Sequence, residues 1–210
     1  MTSLNARDPV MVAAGTLGVL GNVLGVVFLN DIPGAYRLAR LDEWHQGVLR
    51  YPTDAAYSAI AFTIGLFALA LWAIQLGTFT RTRVARAGAW LAAAGSLANG
   101  IGTATPLVLA LHVGDQGPAG LAVARALLGT TLTLDALFNL ALGSGLLLVG
   151  LGWQRLGPTW LRGLAVAAGL ASIPVAGQAV HDAAADVLLI AAPLWLVFML
   201  VTSLRRWEAT

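Results

Sequence analysis

The chain of 210 residues contains no cysteine and no lysine, and each absence excludes whole classes of chemistry. Without cysteine there is no disulfide exchange, no thiolate nucleophile and no thiolate metal site. Without lysine there is no amine for a retinal Schiff base, and no phosphate-binding loop of the kind that requires a lysine. We therefore expect neither a retinal cofactor nor a thiolate-bound metal.

Charged residues are also scarce, at 10% of the chain, whereas a soluble domain usually carries about a quarter. Hydrophobic residues make up 58%, and the mean hydropathy is +0.79. The net charge is only +2 and the arginines are spread along the chain, so the basic isoelectric point does not indicate nucleic-acid binding. The composition predicts a polytopic membrane protein whose main partner is the lipid bilayer.

Six apolar runs are about long enough to cross a hydrocarbon core of roughly 30 Å. They cover residues 9–29, 56–77, 88–113, 126–152, 163–180 and 187–204. Pro174 lies in the fifth run and predicts a kinked or partly unwound helix there. We predict an all-α bundle with six spans, forming a single domain over residues 1–210, or five spans if the fifth run is re-entrant.

Small residues recur at the spacing that lets helices approach closely in lipid. Gly21 and Gly25 form a GxxxG pair in the first run, and Ala165 and Gly169 repeat the spacing in the fifth. We expect these faces to pack within the bundle, and the alternative is a homodimer interface.

The first loop has a helical pattern of its own. Apolar residues recur at helical spacing on one face, and polar residues occupy the other: Leu38, Leu41, Trp44 and Val48 against Asp42, Glu43, Gln46 and Arg50. This pattern predicts a short amphipathic helix over residues 35–50, lying on the outer membrane surface. Two roles stay open, an anchor for the loop or a lid that brings Glu43 or His45 over the mouth of a cavity.

Arginine distribution predicts the orientation. With a cytoplasmic N-terminus, eight of the twelve arginines fall inside: Arg7, Arg81, Arg83, Arg86, Arg155, Arg162, Arg205 and Arg206. Abundant alanine, glycine and arginine without lysine are typical of a GC-rich bacterial genome. We therefore predict a multi-pass protein of a bacterial plasma membrane with both termini in the cytoplasm.

Asp135 is the most informative residue, because it lies inside the fourth apolar run, roughly two and a half helical turns from the nearer polar flank. A charged group at this depth costs roughly 2.5–3.5 kcal/mol on insertion scales and by default marks a functional site. Thr131 and Asn139 share its helical face. Asn99 in the third run and Gln178 in the fifth are further candidates for ligand binding along one polar seam.

All three histidines fall on the predicted outer side: His45 in the first loop, His112 at the end of the third run and His181 in the last loop. Asp182 follows His181 directly. Imidazole and carboxylate groups serve both as zinc ligands and as acid–base pairs. His112, His181 and Asp182 are therefore candidates for catalysis together with Asp135. If a metal is bound, His45, His112 and His181 are its candidate ligands, although no motif with tight metal spacing is present.

Residues 140–174 carry a pattern of an apolar span, Trp153-Gln154-Arg155, Gly157-Pro158-Thr159-Trp160-Leu161, and then a second Gly/Ala-rich span. Over this part of the chain the protein resembles a group of uncharacterised bacterial membrane proteins of similar length with six helices. The resemblance implies a six-helix membrane fold. The resemblance implies no activity, and it assigns no functional role to any residue.

The polar residues favour an outward-facing polar cavity that binds a small or amphiphilic molecule. Acid–base catalysis on a lipid-soluble substrate is one use of such a cavity, with Asp135 as proton donor and a histidine as base. Two other functions stay open: a proton-coupled transporter that uses Asp135, and a non-catalytic accessory membrane subunit.

Overall fold

The computed structural model describes residues 8–105, 109, 117–153, 158–179, 181 and 183–205, and almost all of them are helical. The helices are α1 (Pro9–Leu29), α2 (Leu41–Arg50), α3 (Pro52–Phe79), α4 (Arg83–Gly102), α5 (Gly117–Leu151), α6 (Thr159–Val175), the short α7 (Ala183–Asp186) and α8 (Leu188–Leu204). Short 3-10 helices cover Leu38–Arg40 and Ala176–Ala179. The predicted all-α fold is confirmed.

Four helical segments are long and apolar enough to cross a membrane: α1, α3, α5, and α6 with its extension to Gln178. The apolar helix α8 is shorter, with 17 residues. Arg83 and Arg86 lie in the first turn of α4, which lowers the hydropathy of that helix. Four such helices indicate a membrane-embedded protein.

The long helices form a closed ring. Each long helix packs against the next long helix in the chain, in the order α1, α3, α4, α5, α6 and α8. The last of them, α8, packs against α1 and closes the ring. Trp72, Trp153 and Phe198 fill the core, where both indole rings lie 5.8 Å from the Phe198 ring. The Trp72 indole donates a hydrogen bond of 3.1 Å to the Thr202 hydroxyl. The ring therefore joins the first long helix to the last.

Glycine lets several of these helices touch backbone to backbone. A Cβ atom at Gly21 would lie 2.6 Å from Gly65 Cα, and one at Gly169 would lie 2.7 Å from the Gly143 carbonyl oxygen. Gly18 and Gly25 are also buried. The small-residue faces predicted from the sequence therefore pack inside the bundle.

The helix of the first loop is shorter than predicted. It begins at Leu41 rather than at residue 35, because Gly34 and Tyr36 have positive φ values of 72° and 55° that no α-helix accommodates. One face of this helix packs against the bundle, and the opposite face, with Asp42, Glu43 and Gln46, is exposed. Trp44 and Val48 are almost fully buried against the bundle, in a cluster that includes Leu128 of α5.

Other helix ends also differ from the predicted runs. α3 extends the second run at both ends, and α5 begins at Gly117, nine residues before the predicted start of the fourth run. α4 ends at Gly102, whereas most of residues 106–113 at the end of the third run lie outside the described residues. α6 ends at Val175, directly after Pro174, and the chain continues as a 3-10 helix. The unwinding predicted at Pro174 is therefore present.

Candidate functional site

Four polar side chains meet in the interior of the bundle, where those of Asn99, Asn139 and Gln178 surround the carboxylate of Asp135. Asn99 donates a hydrogen bond of 2.7 Å to Asp135 Oδ1. Asn139 donates one of 3.1 Å to Asp135 Oδ2, and Gln178 donates to the same oxygen. Asn99, Asn139 and Gln178 are each about 1% exposed. The carboxylate thus accepts hydrogen bonds from three carboxamide groups on three different segments of the chain.

The local structure of each segment brings its side chain to this point. Asp135 and Asn139 lie one turn apart on α5, and Asn139 also donates a hydrogen bond of 2.9 Å to the Asp135 carbonyl. Asn99 lies near the end of α4, the neighbour of α5 in the ring. Gln178 lies in the 3-10 helix that follows Pro174, where the proline ends the α-helix. We call Asn99, Asp135, Asn139 and Gln178 the carboxamide cluster.

The cluster leaves hydrogen-bond acceptors without partners. A carboxylate can only accept, so each amide turns its NH₂ group towards Asp135 and its carbonyl oxygen away. Within the described part of the chain, Asn99 Oδ1, Asn139 Oδ1 and Gln178 Oε1 are buried and have no hydrogen-bond partner. No arginine or histidine of that part contacts Asp135, whose surroundings are the three amides. The described hydrogen-bond partners of the carboxylate are therefore neutral donors.

A cavity of about 390 Å³ adjoins the cluster at the seam between α1 and α8. Its polar end is formed by Asn99, Asp135 and Asn139, with Asn22 of α1 and Thr103 nearby. Most of its remaining lining is apolar and comes from α1, α3, α5 and α8: Val23, Val26, Val27, Phe62, Leu66, Phe138, Leu188, Leu189, Ala192, Pro193, Trp195 and Leu196. The cavity therefore combines apolar walls with one strongly polar end.

The cavity opens to the side of the bundle. Val26 is 57% exposed and Leu189 is 80% exposed, although both also line the cavity. Pro193 in α8 cannot donate a hydrogen bond to the carbonyl of Leu189, one turn earlier, which loosens the helix beside the opening. The Trp195 indole N–H is buried and has no hydrogen-bond partner within the described residues. A molecule that enters here passes between α1 and α8.

Tyr36 is the residue that the first loop contributes to the cavity. Its left-handed backbone is unusual for a bulky residue, and such strain persists where the surrounding structure enforces it. The ring lies 4.9 Å from Trp44 and 6.2 Å from Phe62. Burial, and then the negative charge of Asp135, raise the pKa of the Tyr36 phenol above its ordinary value. The hydroxyl group therefore stays protonated and is available as a donor.

Two ion pairs hold the first loop against the bundle. Arg125 of α5 binds the Asp42 carboxylate through two hydrogen bonds of 2.6 Å, and this contact lowers the pKa of Asp42. Arg37 lies 2.5 Å from a carboxylate oxygen of Asp186 in α7. The nearest cationic residue before Asp135 on α5 is therefore paired with the loop.

The remaining predicted site residues lie away from the cavity. Thr131 is fully buried and donates to the carbonyl groups of Gly102 and Leu127, at 3.1 and 3.2 Å. Glu43 points to the surface and pairs with Arg40. His45 lies on the buried face of α2 and is 3% exposed, and neither Glu43 nor His45 lines the cavity. Of the segment predicted as a lid, Tyr36 reaches the cavity instead, because the left-handed turn directs the chain inwards ahead of α2.

Two of the three histidines that were candidate metal ligands, His45 and His181, lie in the described part of the chain. His181 is exposed, and its Nδ1 accepts a hydrogen bond of 3.2 Å from the Ala183 amide. His112 and Asp182 lie outside the described residues. Among the residues that are described, no group of three His, Asp or Glu side chains could hold a metal ion.

Comparisons with protein-family models, with curated proteins and with solved structures find no match to this chain. The function therefore has to be inferred from the cavity and the carboxamide cluster.

Proposed function

We propose that the protein binds a lipophilic small molecule in the cavity between α1 and α8, with the polar head of the molecule against Asp135, Asn99 and Asn139. The observation that carries this proposal is a cavity of about 390 Å³ with apolar walls, one polar end and a lateral opening. Its volume lies in the range of small-molecule sites, which combine apolar walls with a few polar groups that orient the ligand. The lateral opening suits a molecule that reaches the site from the bilayer.

Binding is better supported than acid–base catalysis. No histidine lines the cavity among the described residues, so the proposed proton donor Asp135 has no base beside it there. The described hydrogen-bond partners of Asp135 are three neutral amides, which are not the acid or base groups that general acid–base catalysis uses.

The membrane arrangement belongs to the same proposal. We place six spans in a bacterial plasma membrane, with both termini in the cytoplasm. Support comes from the packing of α4 and α8 as full members of the ring and from the arginine distribution. Because the chain has no cysteine, single cysteines at Asp31 and Thr78 can be labelled without background. A membrane-impermeant maleimide added to intact cells is expected to label Asp31→Cys and to spare Thr78→Cys, and the reverse pattern would contradict the orientation.

The binding proposal can be tested with three single-chain probes that differ only in their heads: dodecylamine, dodecanol and dodecanoate. Purified protein in phosphatidylcholine nanodiscs is expected to bind at least one of them saturably, after subtraction of binding to empty nanodiscs. Val26→Trp at the cavity opening is expected to abolish this binding. Leu20→Trp is the matched control, because Leu20 is similarly exposed on α1 but does not line the cavity. If none of the probes binds saturably, or if both variants weaken binding equally, the proposal is wrong.

A further inference from the structure

We propose that the polar end of the cavity selects a primary ammonium group, so that the preferred ligand is a lipophilic amine in its protonated form. This inference rests on the proposed function and specifies the chemical class of its ligand. It follows from the hydrogen-bonding capacity that the carboxamide cluster leaves unused.

The polar end offers an excess of acceptors. Asp135 Oδ1 accepts one described hydrogen bond and Oδ2 accepts two, although a carboxylate has about four acceptor positions. Asn99 Oδ1 and Asn139 Oδ1 belong to residues that line the cavity, and neither oxygen has a partner within the described residues. A primary ammonium group carries three N–H donors and no acceptor, so it matches this set of oxygens.

Charge favours the same ligand. When Asp135 is deprotonated, its negative charge lies inside an apolar bundle, and no cation of the described residues contacts it. A buried charge is costly unless it is paired, and a bound ammonium group would supply the missing partner. A carboxylate ligand would instead place a second negative charge beside the first. An alcohol would satisfy acceptors without pairing the charge.

Aromatic rings surround the path from the opening to the polar end. Tyr36, Phe62, Phe138 and Trp195 all line the cavity, and the Phe138 and Trp195 rings meet edge to face at 6.4 Å. The face of an aromatic ring attracts an ammonium group electrostatically. These rings therefore provide favourable contacts for the same cation in surroundings that otherwise exclude charge.

The experiment measures the dissociation constants of dodecylamine, dodecanol and dodecanoate at pH 7 in phosphatidylcholine nanodiscs, with empty nanodiscs subtracted. Dodecylamine is expected to bind about tenfold more tightly than dodecanol, because its hydrogen bonds are charge-assisted. Dodecanoate is expected to bind most weakly. This ranking is measured on the unmodified chain and does not depend on the folding of any variant.

Two variants then assign the preference to Asp135. Asp135→Asn is expected to weaken dodecylamine binding by at least about thirtyfold, because the charge that pairs with the ammonium group is lost. It should change dodecanol binding by less than about threefold, because the neutral alcohol forms no ion pair and the asparagine carbonyl oxygen still accepts its hydrogen bond. Glu43→Gln is the control, because it removes one negative charge from a surface residue outside the cavity.

The outcomes separate this inference from the proposed function. Saturable dodecanol or dodecanoate binding as tight as that of dodecylamine would overturn the ammonium preference and leave the binding function standing. Unchanged dodecylamine binding in Asp135→Asn would do the same. Absence of saturable binding for all three probes would overturn both proposals.

Discussion

The α4–α5 interface and the seam between α1 and α8 pack by different means. In the first, a Cβ atom at Gly145 would lie 2.5 Å from the Gly88 carbonyl oxygen, so the two backbones are in contact. At one end of the seam, Gly15 and Gly18 of α1 pack against the side chains of Ser203 and Met199. Farther along, valines of α1 take the place of glycine, and the cavity separates the helices.

This difference shows how one bundle combines a rigid scaffold with a binding site. Where glycine lies at a contact between two helices, the helices come so close that no ligand fits between them. Where Val23, Val26 and Val27 line the seam, an apolar cavity lies between α1 and α8. The carboxamide cluster lies at the boundary between the two kinds of packing, because Asn99 and Asp135 belong to α4 and α5 but also line the cavity.

The largest effect on stability is expected from Gly145→Ala. A Cβ atom at this position meets Gly88 and also lies 3.0 Å from the Ala92 side chain, so the helices must separate. We expect the free energy of unfolding to fall by about 3 kcal/mol, measured by titration with a denaturing detergent.

Gly129→Ala on the same helix is the matched control, because nothing lies within 4 Å of its added Cβ atom. It is expected to be neutral or to stabilise the protein by up to about 1 kcal/mol through helix propensity. Equal losses in the two variants would refute the role of close contact at the α4–α5 interface.

The second prediction concerns Gln178→Leu, which removes one hydrogen bond from the Asp135 carboxylate while keeping a side chain of similar size. The expected loss is about 2 kcal/mol, the range for a buried hydrogen bond to a charged group. Gln75→Leu, at a partly exposed position of α3, is the control for the amide-to-leucine change. A loss no larger than that of the control would argue that the carboxylate is not charged.

The third prediction is an increase in stability rather than a loss. Ala192→Leu adds apolar volume inside the cavity and is expected to raise the free energy of unfolding by about 1 kcal/mol. The same variant should weaken the binding of the dodecyl probes. Ala87→Leu at an exposed position of α4 should do neither. A destabilised Ala192→Leu variant would mean that the seam is already filled in the free protein.

The smallest effect is expected at the exposed Asp42–Arg125 ion pair. Because Arg125 lowers the pKa of Asp42 in the folded protein, the pair contributes stability above the ordinary carboxyl pKa of about 3.9. That contribution is lost as the pH falls through the lower folded value. The difference in melting temperature between the protein and Asp42→Asn should therefore shrink between pH 7 and pH 3. A constant difference would show that Asp42 acts through packing alone.

The all-α fold and the members of the carboxamide cluster could be predicted from sequence. Asp135 and Asn139 share a helical face by spacing, and a charge inside an apolar run needs polar partners. The sequence predicts that Asn99 and Gln178 line the same polar seam as Asp135, because they are polar residues in other apolar runs. That these residues bind a ligand stays a prediction.

The rest of the site depends on tertiary structure that no periodicity encodes. Tyr36 reaches the cavity only because its backbone is left-handed, a conformation that side-chain patterns do not reveal for a tyrosine. In the lid alternative for the first loop, Glu43 or His45 would lie over the cavity mouth, yet His45 lies on the buried face of α2 and does not line the cavity. Arg125 pairs with Asp42, and this contact depends on where the first loop folds back against α5.

The closed ring also sets the order in which the cavity can form during biosynthesis. α1 and α8 are separated by almost the whole described chain, and the ribosome makes α8 after every other wall of the cavity. Until α8 inserts, Asp135 and the valines of α1 face an incomplete bundle. A ligand that fits between α1 and α8 would therefore favour the last assembly step and act as a chaperone for newly made protein.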